Sequence, residues 1–369
     1  MKIAILMDGI ARGGAERQAL NAVEALADLG HEATLLHYND PERYEPLADH
    51  PAVAHGRVRY VPRRSAAALV WRLARLLRRE HFEVVHGFKS LPAMYAGLAG
   101  RLARVPVVVG GSRSGEYEWS GLTARLQRLT RGLVQAWVVN SEAVAESLCR
   151  HVGVARERCH VVPNGIDCRA FRSSLAGGEA RLRLGVPADA PTVTCLAAFR
   201  PEKNHRLLIE AAGRVLERVP AARFLLAGDG PERGGLEREA AIMNIAPRVH
   251  FLGNRADVAD LLAATTVSVL TSHYEGVSNA VIESMCAGVP VVTTDYPGAS
   301  ALVADAGTGF VVPRGDPATL ADRLARLLLD PAERDRLGRA ARETSAGRFG
   351  IEPMARSLLS VYAACGAAR

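Results

Sequence analysis

Apolar residues fall into two alternating patterns along the chain. Runs such as "KIAILM" (2–7), "EATLLHY" (32–38), "EVVHGF" (83–88), "VPVVVG" (105–110), "AWVVNS" (136–141) and "CHVVPN" (159–164) read as buried strands. Between several of them lie segments, Ala15–Leu29 and Ala66–Arg79 among them, whose apolar residues recur at helical spacing. Strands joined by helices run parallel, with helices on both faces of the sheet.

The series then begins again. "TVTCLAAF" (192–199), "RFLLAG" (223–228), "VHFLG" (249–253), "TVSVLTS" (266–272), "VPVVTTD" (289–295) and "GFVVP" (309–313) form a second strand set, with "NHRLLIEAAGRVLERV", "VADLLAAT" and "NAVIESMCAG" as helices between them. The stretch "FRSSLAGGEARLRLGVPADAP" (171–191), rich in glycine, serine and alanine, reads as a linker. At 369 residues the chain exceeds one ordinary core, so length and pattern agree on two domains. The expected division is 1–170 and 171–369, with the last helical segment, about 351–369, a candidate to cross back to the first domain. Open parallel sheets bind ligands beyond the C-terminal ends of their strands, so a site in a cleft between two doubly wound lobes is expected.

Composition narrows the classes. Apolar residues make up 49% and charged residues 23%, which fits a folded soluble chain. The net charge of +7 suits an anionic ligand or a lipid surface but falls short of a nucleic-acid-binding face. The N-terminal apolar run stops at Asp8, too short for a signal-peptide core, and no stretch approaches a membrane span, so a cytoplasmic protein is expected. Cysteines 149, 159, 168, 195, 286 and 365 form no C-x-x-C pair, so neither a zinc site nor a disulfide framework is expected.

Three loops carry candidate chemistry. Asp8 to Gly14, glycine-rich and directly ahead of a helix, offers backbone N–H groups to an anion, or simply makes a tight turn; it is not G-x-G-x-x-G, so a dinucleotide fingerprint fails. In "FRPEKNH" (199–205), Arg200 and Lys203 stand at the start of a helix, where cations oppose the macrodipole unless a diphosphate is their partner. In "HYEGVSNAVIESMCAGVPVV" (273–292), Ser278 or Asn279 can cap the next helix, Gly276 allows close approach, and Glu283 can accept two vicinal hydroxyls or merely favour the dipole. "AGDGPE" (227–232) reads as a turn rather than a site.

Read together, the motifs resemble the retaining glycosyltransferases of family four, with the GT-B fold. "GGAER" (13–17), "VVHGF" (84–88), "VVNSEAV" (138–144), "VVPNGID" (161–167) before Phe171, "RPEKN" (200–204), "AGDGPE" (227–232), "FLGNRADV" (251–258) and "EGVSNAVIESMCAGVPVV" (275–292) occur in order, and Glu275 and Glu283 make an E-x7-E signature. The resemblance implies a nucleotide-diphosphate sugar donor, UDP-sugar favoured, on the second lobe and a hydroxyl acceptor, in some members lipid-linked, on the first. It implies that Glu283 holds the ribose and Glu275 the transferred sugar. Gly276, Val277, Ser278 and Asn279 would donate N–H groups, and Arg200 and Lys203 would neutralise the leaving diphosphate. Gly13 and Gly14 would approach the diphosphate, His86 the reacting sugar, and Asn254 and Arg255 the base edge. One departure is Ala198, where many members have an arginine; Arg200 stands two residues later. With no D-x-D motif, two cations and a helix N-terminus can stabilise the leaving group, so no metal or other cofactor is expected. Retention by front-face attack follows from the resemblance alone, as does a place in bacterial polysaccharide or glycoconjugate biosynthesis.

Other readings fit less well. A retaining glycosidase would not need a phosphate-friendly turn between its two acids. A UDP-sugar epimerase or hydrolase on the same fold leaves the E-x7-E segment unexplained, and a non-catalytic nucleotide-sugar binder should have lost Glu275, Glu283 or Lys203. Acceptor loops are expected in the first lobe, with Arg113, Glu116 and Trp119 in "SRSGEYEWSG" as candidates. The Arg57–Arg79 stretch holds eight arginines and no acid. It reads as a core helix with solvated arginines in preference to a membrane-touching one.

Overall fold

The computed structural model describes residues 1–367 apart from Arg12, Glu45 and Ser114–Ser120, and omits the side chains of residues 121–123. Two compact units divide the chain: Met1–Ile166 with Phe349–Arg369, and Asp167–Arg348. The first holds strands β1 (Lys2–Met7), β2 (Glu32–His37), β3 (Val58–Tyr60), β4 (Val84–Gly87), β5 (Val107–Ser112), β6 (Ala136–Val139) and β7 (Cys159–Val161). They form one sheet in the order β3-β2-β1-β4-β5-β6-β7. Its helices are α1 (Gly14–Asp28), α2 (Pro51–Ala54), α3 (Ala66–Arg79), α4 (Ser90–Ala103), α5 (Gly121–Thr130) and α6 (Glu142–Val152), joined by the chain's last helix.

The second unit holds β8 (Thr192–Leu196), β9 (Arg223–Ala227), β10 (Val249–Gly253), β11 (Val267–Leu270), β12 (Val291–Thr294) and β13 (Gly309–Val312), in the order β10-β9-β8-β11-β12-β13. Helices α7 (Gly177–Arg183), α8 (His205–Arg218), α9 (Arg233–Ile242), α10 (Val258–Ala264), α11 (Asn279–Ala287), α12 (Ala299–Leu302), α13 (Pro317–Leu329) and α14 (Pro331–Arg348) surround it, and α15 (Ile351–Ala367) follows. Strand pairings in both sheets are parallel. Apolar strands buried on both faces and amphipathic helices around them make this the doubly wound α/β arrangement, twice.

Each element differs from expectation only where its signal was weak. β3 is an added edge strand of three residues, two of them exposed, so no apolar run marks it. Residues 171–191 are no tether: they contain α7, whose Arg181 Nε donates to Ala264 O at the end of α10 (3.0 Å). α15 buries Met354, Ala355, Leu358 and Tyr362 in the same core as α1. α3 places Leu69, Leu73 and Leu77 in the core, leaving Trp71 (56% exposed), Arg75, Arg78 and Arg79 as its outer face.

The cysteine expectation is corrected. Cys168 and Cys286 form a disulfide across 118 residues of sequence, with Cα atoms 4.9 Å apart. The short 3₁₀ turn Cys168–Phe171 packs on α11, a tertiary meeting that sequence spacing cannot reveal. Thiol titration of the denatured chain should count four thiols before reduction and six after. Reduction should weaken the second unit's unfolding transition by about 2–4 kcal/mol, since the bond restrains its unfolded chain.

Candidate active site

In the second unit the strand order reverses between β8 and β11, because β9 and β10 lie to one side and β12 and β13 to the other. Loops leaving the C-terminal ends of two such neighbours diverge and open a crevice. Beyond β8 the chain makes a 3₁₀ turn, Pro201–Lys203, with Arg200 before it and Asn204 in the left-handed region (φ 49°) starting α8. The "AGDGPE" turn packs directly beneath. Gly228 has φ +145°, and a Cβ there would lie 2.0 Å from the Ala197 carbonyl oxygen. Phe199 N donates to Asp229 O (3.0 Å), so this turn fixes the segment that carries Arg200 and Lys203.

Lys203 Nζ closes on Glu275 Oε1, and Ser272 Oγ donates to the same oxygen (3.2 Å). Backbone groups lock the loops around this pair. Thr271 Oγ1 donates to Lys203 O (3.0 Å), His273 N to Glu202 O (2.8 Å) and Thr294 Oγ1 to Ser272 O (2.7 Å). Gly276 and Val277 lead into α11, where Ser278 takes the capping role and accepts a long bond from Val281 N (3.5 Å). Asn279 opens the helix, and Glu283, 6% exposed, lies just over one turn along it, near the positive end of the dipole. Arg200 is exposed. Asn254 and Arg255 are exposed beyond the edge strand β10, and Arg255 grips Asp257 through Nε (2.8 Å) and Nη2. Lys203, Glu275, the cap and Glu283 thus gather at the reversal, while Asn254 and Arg255 stand two strands away.

The first unit reverses between β1 and β4. Gly13 caps α1, and a Cβ there would lie 2.2 Å from Glu16 Oε2, so a larger residue would push the Glu16 carboxylate aside; Gly14 begins the helix. Lys89, directly after β4, reaches Asp8 Oδ2 (2.9 Å), Asp8 Oδ1 (3.2 Å) and Glu16 Oε1 (3.1 Å). Burial pulls its ammonium pKa down, but Glu16 and Asp8 outweigh that and hold it above the usual value. Sequence reading missed this triad. Its signal was position, since Asp8 and Lys89 each follow an apolar strand at once.

His86 sits inside β4, level with Ile5 and Val109, not in the loop beyond it. It is fully buried, and Nδ1 lies 2.8 Å from Tyr362 Oη. Burial, then the charge of Arg113, push its pKa down to about 3, so the ring is neutral. Arg113 follows β5 and is nine-tenths buried, its guanidinium 3.9 Å from the Phe88 ring centre. Glu116 and Trp119 lie outside the described residues.

The chain is thus built of two doubly wound units, the second gathering a lysine, a glutamate and a helix N-terminus at its reversal, and comparison with known proteins finds glycosyltransferases. The model for Glycosyltransferase Family 4 matches residues 12–170, and that for Glycosyl transferases group 1 matches residues 179–344. EpsF of Bacillus subtilis (strain 168), named as a glycosyltransferase, is 30% identical over 322 residues, 84% of this chain and 82% of that protein. The UDP-Gal:alpha-D-GlcNAc-diphosphoundecaprenol alpha-1,3-galactosyltransferase of Escherichia coli is 27% identical over 274 residues, 70% of this chain and 69% of that one. Among solved structures, Anabaena Alr3699/HepE in complex with UDP matches with a TM-score of 0.87 at 21% identity, covering 99% of this chain and 100% of that one, a likeness of fold. The protein is a glycosyltransferase of GT-B fold, and the chain belongs to glycosyltransferase family 4.

The buried histidines make a pH prediction. Their folded pKa values lie below the unfolded value of about 6.5, so the unfolded chain binds protons first as pH falls. His86 (about 3) should leave stability intact above about pH 6.5 and remove roughly 1.4 kcal/mol per pH unit below it, down to about pH 3. His205, pushed to about 4 by burial and then by Lys203, should do the same in the second unit. In H86Q, acid titration followed by urea unfolding should flatten the first unit's slope and leave the second unit's unchanged.

Proposed function

We propose that this glycosyltransferase takes its sugar from a UDP-linked donor bound by the second unit. It passes the sugar to a hydroxyl acceptor on the first unit, with retention of configuration and without a metal ion. The observation that carries the reading is Lys203 held on Glu275 at the β8/β11 reversal, beside the N-terminus of α11 and the buried Glu283. As donor enters, Lys203 turns to the diphosphate with Arg200, and the N–H groups of Gly276, Val277, Ser278 and Asn279 join them. Glu275 accepts from sugar hydroxyls and Glu283 from the ribose. Asn254 and Arg255 border the base, and Gly13 and Gly14 approach the diphosphate.

The chemistry is a substitution at the anomeric carbon. Its bond to the diphosphate oxygen breaks, the acceptor oxygen bonds on the same face, and the acceptor's proton passes to the departing phosphate. Charge accumulates on the leaving group, where fixed cations and N–H donors act most strongly. His86 is neutral and enclosed, so its part is to position the end of β4.

Support for uridine comes from HepE, whose structures hold UDP and UDP-glucose, and from the E. coli relative's UDP-Gal donor. That relative's diphosphoundecaprenol acceptor supports a lipid-linked acceptor here, in bacterial polysaccharide biosynthesis. Among the described residues no helix is long and apolar enough to cross a membrane. A cytoplasmic enzyme resting the Trp71 and arginine face of α3 on an anionic membrane fits this reading.

Thermal unfolding with a panel of nucleotides should show stabilisation by UDP above GDP, and slow hydrolysis of a UDP-sugar should survive EDTA. K203A should lose about 10²–10³ in turnover. E283A should weaken UDP binding about 10–100-fold, the worth of a charged hydrogen bond. Unaltered UDP affinity in E283A removes the ribose role; loss of turnover in EDTA removes metal independence.

A further inference from the structure

Arg113 is a buried cation with no counter-charge among the described residues. Only 7% of its surface is exposed, and among the described residues it meets no carboxylate. Its Nη1 donates to Asn164 Oδ1 (3.2 Å) and its plane lies on Phe88, but Nε and Nη2 have no hydrogen-bond partner. Burial lowers its pKa to about 10, with Tyr362 pulling the other way, as expected of a guanidinium that has given up water. Two buried unpaired donors on a charged group are costly, and such groups are enriched where a ligand completes them.

The two unpaired atoms share one edge. Nε–H and Nη2–H point the same way and form the fork that takes both oxygens of an oxyanion. This chain uses that edge elsewhere. Arg169 grips Asp167 through Nε (2.9 Å) and Nη2 (3.1 Å), and Arg326 holds Glu333 through the same two atoms. Those pairs are exposed, whereas in Arg113 the same fork is buried just past the C-terminal end of β5, where ligands of a parallel sheet bind. His86 Nε2 and Asn140 Oδ1, also buried, have no hydrogen-bond partner; Asn140 is tied to this turn by Nδ2 donating to Arg113 O (3.3 Å).

We propose that the Nε/Nη2 edge of Arg113 is a two-pronged receptor for an oxyanion, phosphate or carboxylate, carried by the acceptor. Assigning the anion to the acceptor rests on the reading that the first unit takes the acceptor; the receptor itself rests on the first unit's geometry alone.

The test uses the full chain with UDP added to fill the diphosphate site, titrated with inorganic phosphate or with acetate at constant ionic strength and followed by calorimetry. Wild type should bind one of the two saturably, and the tighter one names the class. R113K keeps the charge but loses the fork, and should bind at least tenfold more weakly. R113M should not bind, yet should unfold at or above the wild-type temperature, because it removes an uncompensated buried charge. K203A should bind the anion as wild type does. Binding lost in K203A would assign the anion to the donor site and overturn the proposal. No binding by wild type, or equal binding by R113M, would overturn it as well, leaving a guanidinium solvated by buried water or an adventitious ion only. UDP binding measured on the same proteins separates the readings. If UDP fails to bind wild type while phosphate or acetate still requires Arg113, the donor reading falls and the receptor stands.

Discussion

In each unit a lysine bridges the place where strand order reverses. Lys89 ties Asp8 and Glu16 across the ends of β1 and β4, and Lys203 meets Glu275 across the ends of β8 and β11. The constraint behind both is that parallel strands need crossover helices, so adjacent strands at a reversal send their chains to opposite faces. The gap this leaves cannot be filled with apolar side chains, because loop backbone there needs polar partners. A long flexible cation spans it and still exposes its charge. The crevice is thereby held in shape without being closed.

The two bridges differ in what they leave over. Lys89 faces two carboxylates, Asp8 and Glu16, so its charge is fully matched within the first unit. Lys203 faces one, and Arg200 stands exposed nearby in sequence, so the second unit keeps cationic character beside a helix N-terminus. On the proposed function, a diphosphate that displaced Glu275 from Lys203 would exchange one anionic partner for another, and the freed carboxylate would accept hydroxyls. The exchange conserves charge pairing, which limits the desolvation penalty of binding.

Most of the fold was legible because parallel sheets bury strands on both faces and so write them as plain apolar runs. What escaped lacked that signal: β3 is short and exposed, and the disulfide joins residues that only tertiary packing brings together. The loops at the β8/β11 reversal were legible because loops after strands carry glycines, prolines and charges at fixed offsets. His86 shows the limit. Placed near the reacting sugar by the resemblance alone, it occupies the same strand face as Val84 and Phe88, and the period of two turns all three into the core. Asp8 and Lys89 were each readable as loop residues, but their pairing depends on strand order, which no local pattern encodes.

The return of the chain's end gives that interior its coherence. α15 delivers Tyr362 to His86, 276 residues earlier, and the neutral ring accepts or donates without bringing a second charge near Arg113. Two residues past His86, Phe88 provides the plane on which Arg113 lies; one residue further, Lys89 bridges the reversal. The last helix thus meets β4 at His86, two residues before Phe88 and three before Lys89. A charged imidazole at that place would repel the guanidinium inside low-dielectric surroundings, so burial and the charge of Arg113 together keep His86 neutral.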